Sequence, residues 1–189
     1  VESIPLGLAP AGYTVLVVDT RESHAHATGG YAARRASCEA AAAALGVPSL
    51  REATLPALEA AGLPDETLRR ARHVVTENDR VLDAVAAMRA GDLASVGTLM
   101  LASHASMRDD FEISTPALDH AVESLMAAGA LGARMTGGGF GGAAIALVAI
   151  TDVEATTAAV TAAFAAGGFT TPTIFTVHPS DGARREDLT

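Results

Sequence analysis

Gly132-Ala133-Arg134-Met135-Thr136-Gly137-Gly138-Gly139-Phe140-Gly141-Gly142 runs directly into Ala143-Ala144-Ile145-Ala146-Leu147-Val148-Ala149-Ile150. Five of the last six residues of the first stretch are glycine. Such density removes side chains where the backbone must turn with positive φ or lie close against another group. The second stretch is unbroken and apolar, which reads as a buried strand. The loop therefore joins packed elements, the place of a tight structural turn or of a phosphate cradle. Gly137, Gly139 and Gly142 satisfy G-x-G-x-x-G, but that dinucleotide fingerprint needs its glycines to open a helix. A strand-like run follows instead, and no acidic residue closes a second strand about 20 residues on. A P-loop is excluded as well, since no Gly-Lys-Ser/Thr occurs and the chain has no lysine.

Working outward, Val15-Leu16-Val17-Val18 reads as a strand ending at Asp19. From Gly30 to about Ala128 the pattern is helical, with breaks at Gly46-Val47-Pro48, Gly62-Leu63-Pro64 and Gly91. Pro64-Asp65 starts the longest helix, with Asp65 as its cap and Leu68, Val75, Val81, Leu82 and Val85 as its apolar side. Thr115-Pro116 starts another, with Thr115 as cap and Pro116 at the first helical position. The last block alternates: a strand near 133–136, the loop, a strand at 143–150, a helix near 153–166 and a strand near 173–177. This is an α/β (α+β) sandwich, with helices on one face of a small, mostly antiparallel sheet. Residues 1–178 form one domain, and 179–189 read as a frayed C-terminal tail.

Composition sets outer limits. The 189 residues suffice for a proper core. The formal charge of −9, with every basic residue an arginine, argues against nucleic acid, which needs a basic face. The longest apolar runs are too short or too interrupted by charge to span a bilayer. A lone cysteine, Cys38, excludes an internal disulfide and suits a reducing, cytoplasmic setting.

Individual side chains leave alternatives open. Tyr31 follows Gly29-Gly30 at a helix start, where its hydroxyl can donate to and accept from a sugar; a half-buried structural tyrosine is the plainer reading. Asp19 can face a cleft or cap the next turn, the second being favoured. Arg134 is a phosphate clamp or an ion-pair partner. His24 and His26 lack the further ligands of a zinc site, and Ser103-His104 lacks a third partner for hydrolase chemistry. Asp109, Asp110 and Glu112 read as a solvated helix end or as partners of Arg108.

The string from Gly132 to Gly142 resembles the third, C-terminal motif of the galactokinases, within the GHMP family of small-molecule kinases. Ala143 stands where those proteins commonly carry cysteine, a packing variation at a strand start. Asp19-Thr20-Arg21-Glu22-Ser23-His24, Tyr31-Ala32-Ala33-Arg34-Arg35 and Cys38-Glu39 resemble the family's segment around its sugar-facing helix. The stretches 73–82 and 103–112 match too, so the resemblance runs from about Asp19 to Val148 in the expected order.

The resemblance implies a GHMP-kinase C-terminal domain from an enzyme that moves the γ-phosphoryl of ATP, with Mg²⁺, to the 1-hydroxyl of α-D-galactose. It implies that Tyr31 hydrogen-bonds the sugar. It also implies that Gly137, Gly138, Gly139, Gly141 and Gly142 line or support the phosphate site. The family's serine-rich phosphate loop and catalytic aspartate lie upstream of the matching segment. No catalytic residue is thus expected in this chain, whose partner would be its own N-terminal catalytic half, and the fragment alone is expected to be inactive. A kinase of a related sugar such as N-acetylgalactosamine, or a non-catalytic sensor of galactose and ATP, remains the alternative.

Overall fold

The computed structural model describes residues 4, 7–22 and 27–178. Ser23, His24, His26 and the expected tail at 179–189 lie outside them. Among the described residues four strands form one sheet: Tyr13–Asp19 (β1), Gly132–Thr136 (β2), Ala143–Ala149 (β3) and Thr173–Val177 (β4). Their order is β2-β3-β1-β4, and every neighbouring pair is antiparallel. Six α-helices accompany them: Ala27–Leu45 (α1), Leu55–Ala60 (α2), Asp65–Ala90 (α3), Leu93–Asp109 (α4), Pro116–Ala127 (α5) and Val153–Ala166 (α6).

Register divides the sheet into two unlike faces. Leu16 lies opposite Ala146, and Val18 opposite Ala144. With Ala133 and Val148 these small and branched residues are buried under Ala121, Val122 and Leu125 of α5 and Val160 and Phe164 of α6. Full burial of Phe164 alone contributes roughly 3 kcal/mol. The alternate residues face the other way. Val17 sits between Ile145 and Phe175 in the register, and Val15 between Leu147 and Val177. The C-terminal part of α3 and the start of α4 cover Leu147 and Val15 there, whereas Phe175 stays 47% and Val177 39% exposed. Helices fully cover one face, as expected, but α3 and α4 also cover part of the second, whose remaining apolar surface stays open.

Sheet edge β2 is closed by α4 through a backbone-to-backbone approach. A Cβ on Gly97 would lie 2.7 Å from the Leu131 carbonyl carbon, and one on Gly132 would lie 2.6 Å from the Gly97 carbonyl carbon. At the same edge the Met135 N–H donates to His104 Nδ1 at 3.3 Å. Covering an edge strand in this way removes a template for pairing with other chains. His104 is thereby fixed as an acceptor at Nδ1, with Nε2 3.3 Å from Asp119 Oδ1.

Two helix starts differ in an instructive way. Thr115 caps α5 as predicted, accepting from the Leu118 N–H at 3.3 Å, with Pro116 first in the helix. Asp65 does not cap α3. Pro64 precedes the helix, no side chain caps it, and Asp65 instead pairs with Arg69 one turn on. The predicted apolar side of α3 is also corrected. Leu68 and Val75 pack in a cluster with α1 and α2, but Val81 and Leu82 are 55% and 68% exposed. α3 runs 26 residues, and its central turns leave the α1–α2 layer before reaching the sheet.

Candidate active-site face

α1 begins beside the glycine loop. Tyr31 lies in its second turn and is 64% exposed. The loop, residues 137–142, is the hairpin connection from β2 to β3. Its glycines divide into two sets. Gly139, Gly141 and Gly142 face protein. A Cβ on Gly139 would lie 2.6 Å from both Ile113 Cβ and the Ile113 carbonyl oxygen, at φ +85°. Gly141 backs on Glu22, and the Gly142 carbonyl accepts from both the N–H and the hydroxyl of Thr20, at 2.9 and 2.7 Å. Gly137 and Gly138 are exposed, with no protein atom within 4 Å of a Cβ placed on either.

Phe140 joins this loop to α1. Its N–H donates to the Ile113 carbonyl at 2.8 Å, and its ring lies against Gly30, where a Cβ would meet Cζ at 2.5 Å. The Arg34 guanidinium sits 5.1 Å from the ring centroid. Arg34 in turn donates to the Phe111 and Glu112 carbonyls at 3.0 and 2.6 Å. The Glu112 carboxylate gathers Arg69 and Arg70 at 3.2 and 3.3 Å. Salt bridges thus hold a carboxylate that sequence alone placed on a solvated helix end. Hydrogen bonds and charge from Arg69 and Arg70 outweigh its modest burial and hold its pKa below the usual carboxylate range. Arg108 does pair with Asp109, as expected.

Asp19 takes the structural role, accepting from the Arg21 N–H at 2.9 Å and capping the turn after β1. Arg134 is an ion-pair partner. It reaches Glu77 at 3.3 Å, and its Nε donates to the Met135 carbonyl. Glu77 also accepts from Ser103 Oγ at 2.5 Å and Arg80 Nε at 2.6 Å. Burial pushes the Glu77 carboxyl up, but these donors outweigh it and hold its pKa below the ordinary value. The network closes one end of a largely apolar cavity of about 250 Å³ between α3, α4 and the open sheet face. Val15, Val81, Met100 and Ile145 contribute its walls.

His73 couples α3 to α4. Its Nδ1 lies 3.0 Å from Ser106 Oγ, which donates to Asp110 at 2.8 Å, and its ring stacks on Phe111 at 4.7 Å. Since Ser106 gives its proton to Asp110, Nδ1 is the donor to Ser106. Burial, partly offset by Glu77, lowers the His73 pKa from 6.5 to about 4. A histidine depressed in the fold stabilises above its unfolded pKa, and that stability is lost as pH falls toward the folded value. Thermal unfolding should therefore shift downward from pH 6.5 toward pH 4, by about 3 kcal/mol in all from this group. His104, also lowered by burial, adds in the same direction. His73→Phe should flatten the dependence, and an unchanged slope would refute the assignment.

A four-stranded antiparallel sheet backed by helices, with a glycine hairpin locked to a helix start, defines the class. Residues 84–166 match the family described as GHMP kinases C terminal, and the chain carries a GHMP-kinase C-terminal domain. It is 52% identical over 186 residues to a galactokinase of Streptomyces coelicolor, covering 96% of this chain and 48% of that protein. It superposes on the Lactococcus lactis galactokinase complexed with galactose at a TM-score of 0.86 and 35% identity, covering 93% of this chain and 47% of that one. The L. major mevalonate kinase in complex with R-mevalonate shares the fold, with a TM-score of 0.58, 24% identity and coverage of 90% and 43%. The chain spans about half the length of the galactokinases it matches. No helix among the described residues is long and apolar enough to cross a membrane.

Proposed function

We propose that this chain is the C-terminal part of a galactokinase, which transfers the γ-phosphoryl of ATP to the 1-hydroxyl of α-D-galactose. The observation that carries the reading is the join between α1 and the glycine hairpin. It puts an exposed tyrosine and two uncovered glycines on elements joined where Gly30 and Arg34 meet Phe140. Likeness to a galactokinase complexed with galactose supports the sugar.

In this reading Tyr31 hydrogen-bonds a galactose hydroxyl. Gly137 and Gly138, open where a side chain would stand, let the backbone approach the nucleotide phosphates. Gly139, Gly141 and Gly142 hold that backbone in shape through Ile113, Glu22 and Thr20. ATP supplies the phosphoryl group, and Mg²⁺ enters with the phosphates that hold it. This chain's residues position the reactants, which is most of what phosphoryl transfer asks of a protein. The catalytic aspartate and the remaining nucleotide contacts belong to the other half of the enzyme. That half also covers the open apolar sheet face around Val17, Ile145, Phe175 and Val177. The working compartment is the cytoplasm.

The test is MgATP-dependent phosphorylation of galactose by the full-length protein and by this chain alone. Turnover is expected from the former and none from the latter. Tyr31→Phe should raise the KM for galactose by about 3- to 10-fold, the loss of one hydrogen bond. Galactose binding without turnover would point to a sensor. Preferred turnover of N-acetylgalactosamine would point to the related kinase.

A further inference from the structure

We propose that Phe140 is a positioning residue whose ring makes the start of α1 and the glycine hairpin move as one body. The identities of the two ligands involved rest on the galactokinase reading; the mechanical coupling does not.

Four observations converge on this side chain. Phe140 interrupts the run of glycines and holds φ +64°, a conformation that a bulky residue keeps only when its surroundings impose it. Its backbone is fixed by the bond to the Ile113 carbonyl. Its ring edge needs the absence of a side chain at position 30, since Cζ and Cε1 lie 2.5 and 2.7 Å from where a Cβ would be. The Arg34 guanidinium lies near the same ring, and its own hydrogen bonds to the carbonyls of residues 111 and 112 fix it. Gly30 and Arg34 are four apart, so both lie on one face of α1. The ring is seated on that face, while Tyr31, one residue along, projects away into the open. A shift of the hairpin is therefore transmitted to the turn that bears Tyr31, and a shift of that turn to the hairpin. Merely filling the cluster of Met107, Ile113, Leu118 and Met135 would require neither Gly30 nor Arg34.

The experiment is a double-variant cycle of Gly30→Ala and Phe140→Leu, with Tyr31→Phe alongside. In the full-length enzyme Gly30→Ala should lower kcat/KM about tenfold or more through misplacement, and raise the KM for both galactose and ATP. Tyr31→Phe should raise the galactose KM alone. Shortening the ring in the double variant should relieve the clash and restore activity only to the level of Phe140→Leu alone, which lacks the coupling ring and should itself raise both KM values. A Gly30→Ala defect confined to galactose, or one that Phe140→Leu does not relieve, would overturn the proposal. Alanine within a helix is otherwise favourable, so misfolding of Gly30→Ala follows the same rule: repaired by Phe140→Leu it supports the coupling, unrepaired it refutes it. Amide hydrogen exchange on the 189-residue chain reads the coupling without any substrate. Gly30→Ala should speed exchange both at the start of α1 and across 137–142, and a change limited to α1 counts against it. An unmodified full-length protein that turns over no galactose would sink the galactokinase reading and leave the exchange result to decide on Phe140.

Discussion

Gly97→Val is expected to abolish cooperative folding of this chain. The glycine sits where α4 crosses the start of β2, and the obstacle to any side chain is backbone. A Cβ would lie 2.7 Å from the Leu131 carbonyl carbon and 3.2 Å from the Gly132 nitrogen. No rotamer change relieves such a contact; the helix must move off the strand. Moving it also separates His104 from the Met135 N–H and exposes a sheet edge. A penalty of more than about 4 kcal/mol is reasonable for this kind of change, against a total stability of about 5–15 kcal/mol. Circular dichroism should show lost or strongly lowered thermal unfolding. Gly29→Ala is the matched control, because a Cβ there meets nothing within 4 Å and a helical alanine gains roughly 0.5–1 kcal/mol over glycine. Equal behaviour of the two variants would contradict the close approach.

Gly139→Ala should fail differently, with the domain folded and the hairpin displaced. At φ +85° an alanine costs about 1–2 kcal/mol. The collision with Ile113 adds to this by pulling the Phe140 N–H from its acceptor, a bond worth roughly 1 kcal/mol. Together they predict a loss of about 3 kcal/mol on denaturant unfolding. On the galactokinase reading, a hairpin displaced by an ångström should cost the full-length protein on the order of 100-fold in rate. Gly138→Ala separates packing from ligand approach. Position 138 is exposed, lacks positive φ and has no neighbour to collide with. Its stability should change by no more than about 0.5 kcal/mol, while the KM for ATP rises if the backbone there meets phosphate. An unchanged ATP KM in Gly138→Ala would assign the whole hairpin to packing.

The elements themselves were legible because each rests on local chemistry. The apolar run at 143–150 reads as a buried strand and forms one over Ala143–Ala149, and Thr115-Pro116 starts a helix as its residue types dictate. Helix breaks at Gly46, Gly62 and Gly91 fall where predicted, and Gly91 closes α3 at φ +70°. The resemblance around the glycine hairpin also identified the family from contiguous residues. The misreadings have different causes. Asp65 satisfies the local pattern of a cap, yet Arg69 competes for its carboxylate. Val81 and Leu82 satisfy helical periodicity, yet both stay largely exposed, Val81 on the wall of an open cavity rather than in the core. Glu112 looks solvated until Arg69 and Arg70, some 40 residues away in the chain, converge on it.

Sequence by itself thus determined what depends on neighbours within a few residues: helix starts and stops, strand alternation, the glycine hairpin and the family to which its wording belongs. Tertiary structure alone decided what depends on distant partners. It turned Arg134 toward Glu77, set His104 on the edge of β2, left Gly137 and Gly138 open while filling the space around Gly139, and seated Phe140 on Gly30. Spacing along a chain fixes backbone conformation, whereas a side chain's charge partner or steric limit is fixed only when the fold closes the distance between segments.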